Sequence, residues 1–325
     1  MIQAAGRGSQ KELARLKREG ADLNASWRGY RALHSLIQEE SHASPRPPSR
    51  ARLAYLQWLL ANGADPEQLG AWPPARAILI ATWTGEPAYV DALRRSGAVV
   101  DGFVAAALGD RRRVEGCLKK DRAFALRRDN AGWTALQCCC ASRMGSSDPT
   151  ARRNLLAIAK RLLDHGADVT ARIKSWSHDV DACGFAVASG RRDILKLLLE
   201  RGAGATAALT PAVWRNDREA AEIALRFGAR IDRARDGTKP LLNQMIRWGQ
   251  VKQALWLLEK GASPNTPDER GWTAAHQAAS RGNERLMKAV LEAGGDLSRK
   301  DHEGRTPRDI ASRMRRPKMA ALLTA

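Results

Sequence analysis

The stretch Asp268 to Gly294, DERGWTAAHQAASRGNERLMKAVLEAG, decides the fold. It opens on a polar tip turn with the pattern Gly271-x-Thr273-Ala-x-His276. A short helix follows and stops at Gly282. A second helix, with Leu286, Met287, Val290 and Leu291 at helical spacing, stops at Gly294. Glycine at such a place supplies the left-handed residue that ends a helix.

Outward from this unit the pattern recurs. Gly-Ala-Asp or a close variant starts at Gly20, Gly63, Gly97, Gly166, Gly202, Gly228, Gly261 and Gly294, giving spacings of 43, 34, 69, 36, 26, 33 and 33 residues. A modal period near 33, with the interval of 69 hiding one degenerate unit, marks a repeat array. The hidden unit, GFVAAALGDRRRVEGCLKK, has lost its closing Gly-Ala-Asp. GYRALHSLI (Gly29 to Ile37), GWTALQCCC (Gly132 to Cys140) and EGRTPRDIA (Glu303 to Ala311) repeat the opening pattern. Two units carry insertions, SHASPRPPSR at 41–50 and MGSSDPTA at 144–151, which read as surface loops between first and second helices. Each unit buries its apolar face only against its neighbours. Residues 1–325 are therefore expected as a single array, with 1–24 as N-terminal cap, 25–298 as central repeats and 299–325 as C-terminal cap.

These phrases strongly resemble the ankyrin repeat, over essentially the whole chain. The resemblance implies an all-α solenoid of about ten units counting the caps. Its tip turns and first helices would line a concave groove, with the second helices as outer wall. His34 and His276 take the repeat's own histidine position, where the imidazole bridges neighbouring tips. The likeness is specific for fold and nearly silent on function.

Composition points to a class of partner. Lys and Arg number 54 against 35 Asp and Glu, a net charge of +19, which suits polyanions and places nucleic acid ahead of acidic proteins or a membrane surface. No apolar run approaches the roughly 20 residues of a membrane span. The N-terminus lacks a secretory h-region and the five cysteines form no disulfide framework, so a reduced cytoplasm is the expected compartment. Consecutive Cys138, Cys139 and Cys140 diverge around a helix and read as apolar fillers. No metal signature, nucleotide cradle or nucleophile elbow is present, and no cofactor is expected.

Ten tryptophans against three tyrosines and four phenylalanines focus attention on the groove. Trp58 and Trp256 fall in second helices and read as wall or core. Trp83, Trp214 and Trp248 stand near the ends of first helices; Trp27, Trp72, Trp133, Trp176 and Trp272 lie in or beside tip turns. Arg28, Arg215 and Arg247 adjoin Trp27, Trp214 and Trp248. Aromatic faces with guanidinium groups suit stacked bases and phosphates, and equally the hot spots of protein interfaces.

One stretch departs from the repeat. Ile173 to Phe185, IKSWSHDVDACGF, replaces the expected tip with Trp176, His178, Asp179 and Asp181, and Asn243 with Gln244 replaces a repeat histidine. Asp179 or Asp181 fits a helix N-cap. Either also fits the carboxylate that stabilises positive charge on a sugar during N-glycosidic cleavage, with His178 in support, Trp176, Trp214 and Trp248 as walls, and Asn243 and Gln244 reading base edges. The expectation is a protein that binds double-stranded DNA, in its enzymatic form a DNA glycosylase. The alternative is a scaffold without catalysis that holds a protein partner in the concave groove.

Overall fold

Second helices stop where the sequence places Gly-Ala. After the helix Arg192–Glu200, Gly202 adopts φ 88° and donates its N–H to Leu199 O at 3.1 Å, while Ala203 N donates to Leu198 O at 3.0 Å. This paired closure needs a left-handed residue, which glycine supplies without strain. Several first helices start on short polar side chains. Thr134, Asp181 and Thr306 each accept the backbone N–H three residues on, which satisfies a donor that a bare helix end would leave open.

The structure is a computed structural model that describes residues 1–7, 9–42, 50–175, 178–233 and 239–323. Two compact units emerge, Met1–Ala203 and Gly204–Ala325. In the first, the first helices are α1 (Ile2–Arg7), α3 (Ala32–His42), α5 (Ala77–Thr84), α7 (Gly102–Leu108), α9 (Ala135–Ala141) and α11 (Ala182–Ala188). Their second helices are α2 (Gln10–Arg18), α4 (Arg50–Ala61), α6 (Pro87–Arg95), α8 (Arg111–Lys120), α10 (Pro149–Asp164) and α12 (Arg192–Glu200). The second unit pairs α13 (Ala205–Trp214), α15 (Leu241–Arg247), α17 (Ala274–Arg281) and α19 (Pro307–Arg313) with α14 (Arg218–Arg226), α16 (Val251–Glu259), α18 (Glu284–Glu292) and α20 (Pro317–Leu322). Successive first helices pack on one another, α1 to α11 in order in the first unit and α15, α17 and α19 in the second. Each unit is thus a two-layer stack. Ten helix pairs among the described residues match the repeat count read from the sequence.

The core lies between and within the layers. Leu195, Leu198, Ile158 and Leu162 of second helices are buried, as are Ala105, Leu136, Cys138, Cys139, Cys140 and Ala186 of first helices. Small residues let first helices approach closely, and each buried leucine contributes about 1.5–3 kcal/mol. The 144–151 insertion is only partly a loop. Asp148 caps and Pro149 opens α10, whose sixteen residues absorb the end of the insertion. Most of the 41–50 insertion lies outside the described residues.

Tips are held by carboxylates and neighbouring side chains. Asp129 Oδ1 accepts from the backbone N–H of Ala131 and Trp133, and Asp268 Oδ1 from Arg270 and Trp272. In several first helices the third residue then reaches the next tip. His34 Nε2 meets Ala75 O at 3.0 Å, Gln137 Nε2 meets Ala171 O at 2.9 Å and His276 Nε2 meets Arg305 O at 3.0 Å. Two short antiparallel hairpins replace plain turns: β1 (Leu69–Gly70) with β2 (Ala75–Arg76), and β3 (Arg172–Lys174) with β4 (Asp179–Asp181).

Burial lowers the His34 pKa from 6.5 to about 4, against the opposing hydrogen bond to Ala75. Between these values the unfolded chain binds the proton and the folded one does not. Stability is therefore complete above about pH 6.5 and falls as pH drops toward 4, by about 2–3 kcal/mol at pH 4.5. His276, also lowered by burial, acts in the same direction. His34→Gln keeps a donor where Gln137 works in its own unit. Urea midpoints at pH 7 and 4.5 are expected to fall less for His34→Gln than for wild type; parallel falls would remove His34 as the cause.

Candidate interaction surface

The hairpin β3–β4 accounts for both carboxylates of the departing stretch. In register, Arg172 stands opposite Asp181, Ile173 opposite Val180 and Lys174 opposite Asp179. Residues of opposite charge thus stand on either side of one apolar pair. Asp181 is buried, and its Oδ1 accepts Gly184 N at 2.9 Å as the cap of α11. Asp179 and His178 are exposed. Trp176 lies outside the described residues. Of the two roles open to Asp181, the cap is the one its geometry fills.

Several residues expected to face ligand are instead part of the packing. Trp272 is buried, with Nε1 donating to Asp301 Oδ2 at 3.0 Å, Arg270 over its ring at 4.1 Å and His276 stacked at 6.2 Å. Asn243 is buried and donates to Trp272 O at 2.7 Å and Thr266 O at 3.2 Å, so it reads backbone and not a base edge. Gln244 donates to Lys239 O at 3.3 Å. Trp133 is fully buried between Trp83, centroids 5.4 Å apart, and Phe185 at 4.8 Å. Trp83 itself is half-buried. At the first tip, Trp27 is exposed with Arg28 over its ring at 4.7 Å, and Trp72 Nε1 donates to Arg28 O at 2.8 Å.

Charge is distributed against a phosphate track on the first helices. In the first unit α5, α7, α9 and α11 contain no charged residue. The exposed cations sit on the second helices, where α8 carries Arg111, Arg112, Arg113, Lys119 and Lys120, and on the tips, at Arg28, Arg127, Arg128, Arg172 and Lys174.

In the second unit a surface does assemble. Four first helices end alike, each with a left-handed residue: Asn216 (φ 56°), Gly249 (φ 71°), Gly282 (φ 66°) and Arg315 (φ 52°). Just before these stand Trp214-Arg215, Arg247-Trp248, Ser280-Arg281 and Arg313-Met314. Trp214 and Trp248 meet edge-on with centroids 6.4 Å apart; Trp248 is 62% exposed and Met314 47%. Arg281 reaches back over the preceding helix end, so that a Cβ on Gly249 would lie 3.2 Å from its Nη2. Arg316 does the same to Gly282, with Cδ 2.9 Å from such a Cβ. Glycine therefore serves twice, for its dihedral and for the space it leaves. Arginine at a helix C-terminus also opposes the negative end of the macrodipole. Spacing had marked Trp214, Trp248, Arg215 and Arg247. Arg316 was missed, although aligning the left-handed positions would have found it.

Comparisons with known proteins fit this architecture. Residues 242–325 match the family model for three copies of ankyrin repeats, and residues 131–174 the single ankyrin repeat. The human ASB11 ankyrin repeat domain superposes with a TM-score of 0.51 at 24% identity, covering 69% of this chain and 98% of that one. The chain contains ankyrin repeats. Its ankyrin repeats are 38% identical over 66 residues to an ankyrin repeat-containing protein of Schizosaccharomyces pombe, covering 20% of this chain and 32% of that one. They are 45% identical over 87 residues to inversin of Gallus gallus, covering 27% and 8%. The ankyrin-repeat chain thus spans at most about a third of the length of these curated relatives. Among the described residues no helix is long and apolar enough to cross a membrane, and no group of His, Cys, Asp and Glu could hold a metal ion.

Proposed function

We propose that this protein is a protein-interaction scaffold and that the row of first-helix ends in its second unit is where it grips a partner. The observation that carries this reading is the Trp214–Trp248 pair, with Trp248 exposed beside Arg247. Tryptophan and arginine dominate the energetics of protein interfaces, since each buries much surface while keeping polar groups satisfied. Kinship supports it too, because ankyrin repeats generally mediate contacts between proteins. DNA binding and the glycosylase reading draw no such support. Asp181 is a cap, Asn243 is spent on backbone carbonyls, and the four uncharged first helices of the first unit offer phosphates nothing.

The test is selection of displayed random peptides on the whole chain, with Trp248→Ala as counter-screen. Enriched peptides are expected to bind Trp248→Ala at least about 30-fold more weakly, the loss of a 2 kcal/mol hot spot. A double-stranded DNA probe is expected to bind weakly at physiological salt. Tight binding to a 20-base-pair duplex that collapses steeply with salt, without peptide enrichment, would restore the nucleic-acid reading. Abasic-site release from alkylated DNA that Asp179→Asn and Asp181→Asn both abolish would restore the glycosylase.

A further inference from the structure

Resting on the scaffold reading, the spacing of the side chains along this strip specifies the partner further. We infer that it takes an extended acidic segment carrying one bulky apolar residue, with carboxylates three and six residues away from it.

The strip begins at Trp214 and Trp248, continues at Arg281 against Gly249, and reaches Arg316 against Gly282. Trp248, Arg281 and Arg316 thus belong to successive first-helix ends. Packed helices lie about 8–10 Å apart, and an extended chain advances about 3.3 Å per residue. Three residues of an extended ligand therefore span one repeat. A side chain seated on the tryptophan pair places the third residue beyond it at Arg281 and the sixth at Arg316. Period-two alternation would turn every second side chain away from the surface, but a polyproline II segment advances about 3.1 Å with three residues per turn. In that conformation positions i, i+3 and i+6 share one face, so the strip and the ligand have the same period.

The charge is complementary to carboxylates. Arg247, Arg281, Arg315 and Arg316 are exposed, and none is in an ion pair with a carboxylate among the described residues. The acidic groups at the edge are Asp217, whose Oδ1 accepts Ala220 N, the exposed Glu284, and Glu303, which is taken up by Arg305 and Arg313. A nucleic-acid strand fits worse. Its charges follow at about 3.4 Å per strand, three for each arginine of this row, and its bases would need aromatic faces along the strip where the tryptophans stand at one end only.

The experiment is fluorescence anisotropy of the full chain with fluorescein-labelled probe peptides. The matched probe has one phenylalanine and glutamates three and six residues on, in a Gly/Ser/Pro background; it is made in both sequence directions, since the strip does not fix chain polarity. The control has the same composition with glutamates two and four residues on. One matched probe is expected to bind at least about tenfold tighter than its control, and to lose at least that factor on Arg281→Glu, Arg316→Glu and Trp248→Ala. These side chains are exposed, and unchanged thermal midpoints will show that the variants fold. Equal affinity for matched and control probes, or binding by neither, overturns the register. If display selection still yields peptides that need Trp248, the scaffold reading survives that failure. Displacement of the matched probe by a 12-base single strand at lower concentration than by unlabelled peptide would give the strip to nucleic acid. Light scattering that shows a dimer lost on Trp248→Ala would give it to a second copy of the chain.

Discussion

Trp133→Ala is expected to destabilise the protein by about 4–5 kcal/mol, near the top of the range for removing a buried aromatic. The indole is fully buried. Its Nε1 donates to Pro74 O at 2.7 Å, tying its own tip to the preceding hairpin. Its ring fills the space between Trp83 and Phe185, and aromatic pairs at such distances add about 0.5–1.5 kcal/mol each beyond area burial. Alanine loses the contacts, leaves a cavity and strands a carbonyl. Trp133→Phe keeps a ring and loses the hydrogen bond, and should cost about half as much. Urea denaturation with constant m-value is the measurement. A cost for Trp133→Ala below about 1 kcal/mol would mean that the ring is displaceable and belongs to a binding face after all.

The burial of Trp133 shows what was legible in the sequence and what was not. Period, helix stops and insertions were visible because each depends on a local rule. Gly-Ala after an apolar helix gives a left-handed closure wherever it occurs. Which face a tryptophan occupies is a non-local matter, and grouping all the tip tryptophans together mixed two kinds. Those immediately after a positive-φ tip residue turn inward: Trp72 after Ala71, Trp133 after Gly132 and Trp272 after Gly271. Each spends its indole N–H on a neighbouring tip, at Arg28 O, Pro74 O and Asp301 Oδ2. Trp27 precedes the left-handed pair Arg28-Gly29 and stays exposed. The distinction was present as position relative to glycine. Asp179 and Asp181 are a different case. Their opposite numbers, Lys174 and Arg172, lie across a hairpin whose register no single-strand pattern reveals.

Asp301 is where the second large effect is expected. Its side chain is wholly buried, and its two oxygens accept four hydrogen bonds. Oδ1 accepts backbone N–H of Glu303 and Arg305, each at 2.9 Å; Oδ2 accepts Arg305 Nε at 2.9 Å and Trp272 Nε1 at 3.0 Å, with the charge of Arg305 Nη2 2.7 Å away. Burial alone would raise its pKa, but the donors from Arg305, Glu303 and Trp272 outweigh it and hold the carboxyl well below the usual range. Asp301→Ala leaves all of these donors unmet and is expected to cost about 3–5 kcal/mol at pH 7. Asp301→Asn should be little better, because its amide turns an N–H toward donors whichever way it is flipped. The sign with pH follows from a depressed acid. The stabilisation is present above the unfolded carboxyl pKa near 4 and fades as pH falls below it. Wild type and Asp301→Asn should therefore differ most at pH 7 and converge toward pH 2, as urea midpoints will show. A pH-independent difference would assign the cost to the amide N–H turned toward donors and not to charge. The outcome also bears on Trp272. If its indole is held by a carboxylate that must stay ionised, the ring serves to lock neighbouring tips together. The proposed partner surface then stays with the row of helix ends at Trp248, Arg281 and Arg316.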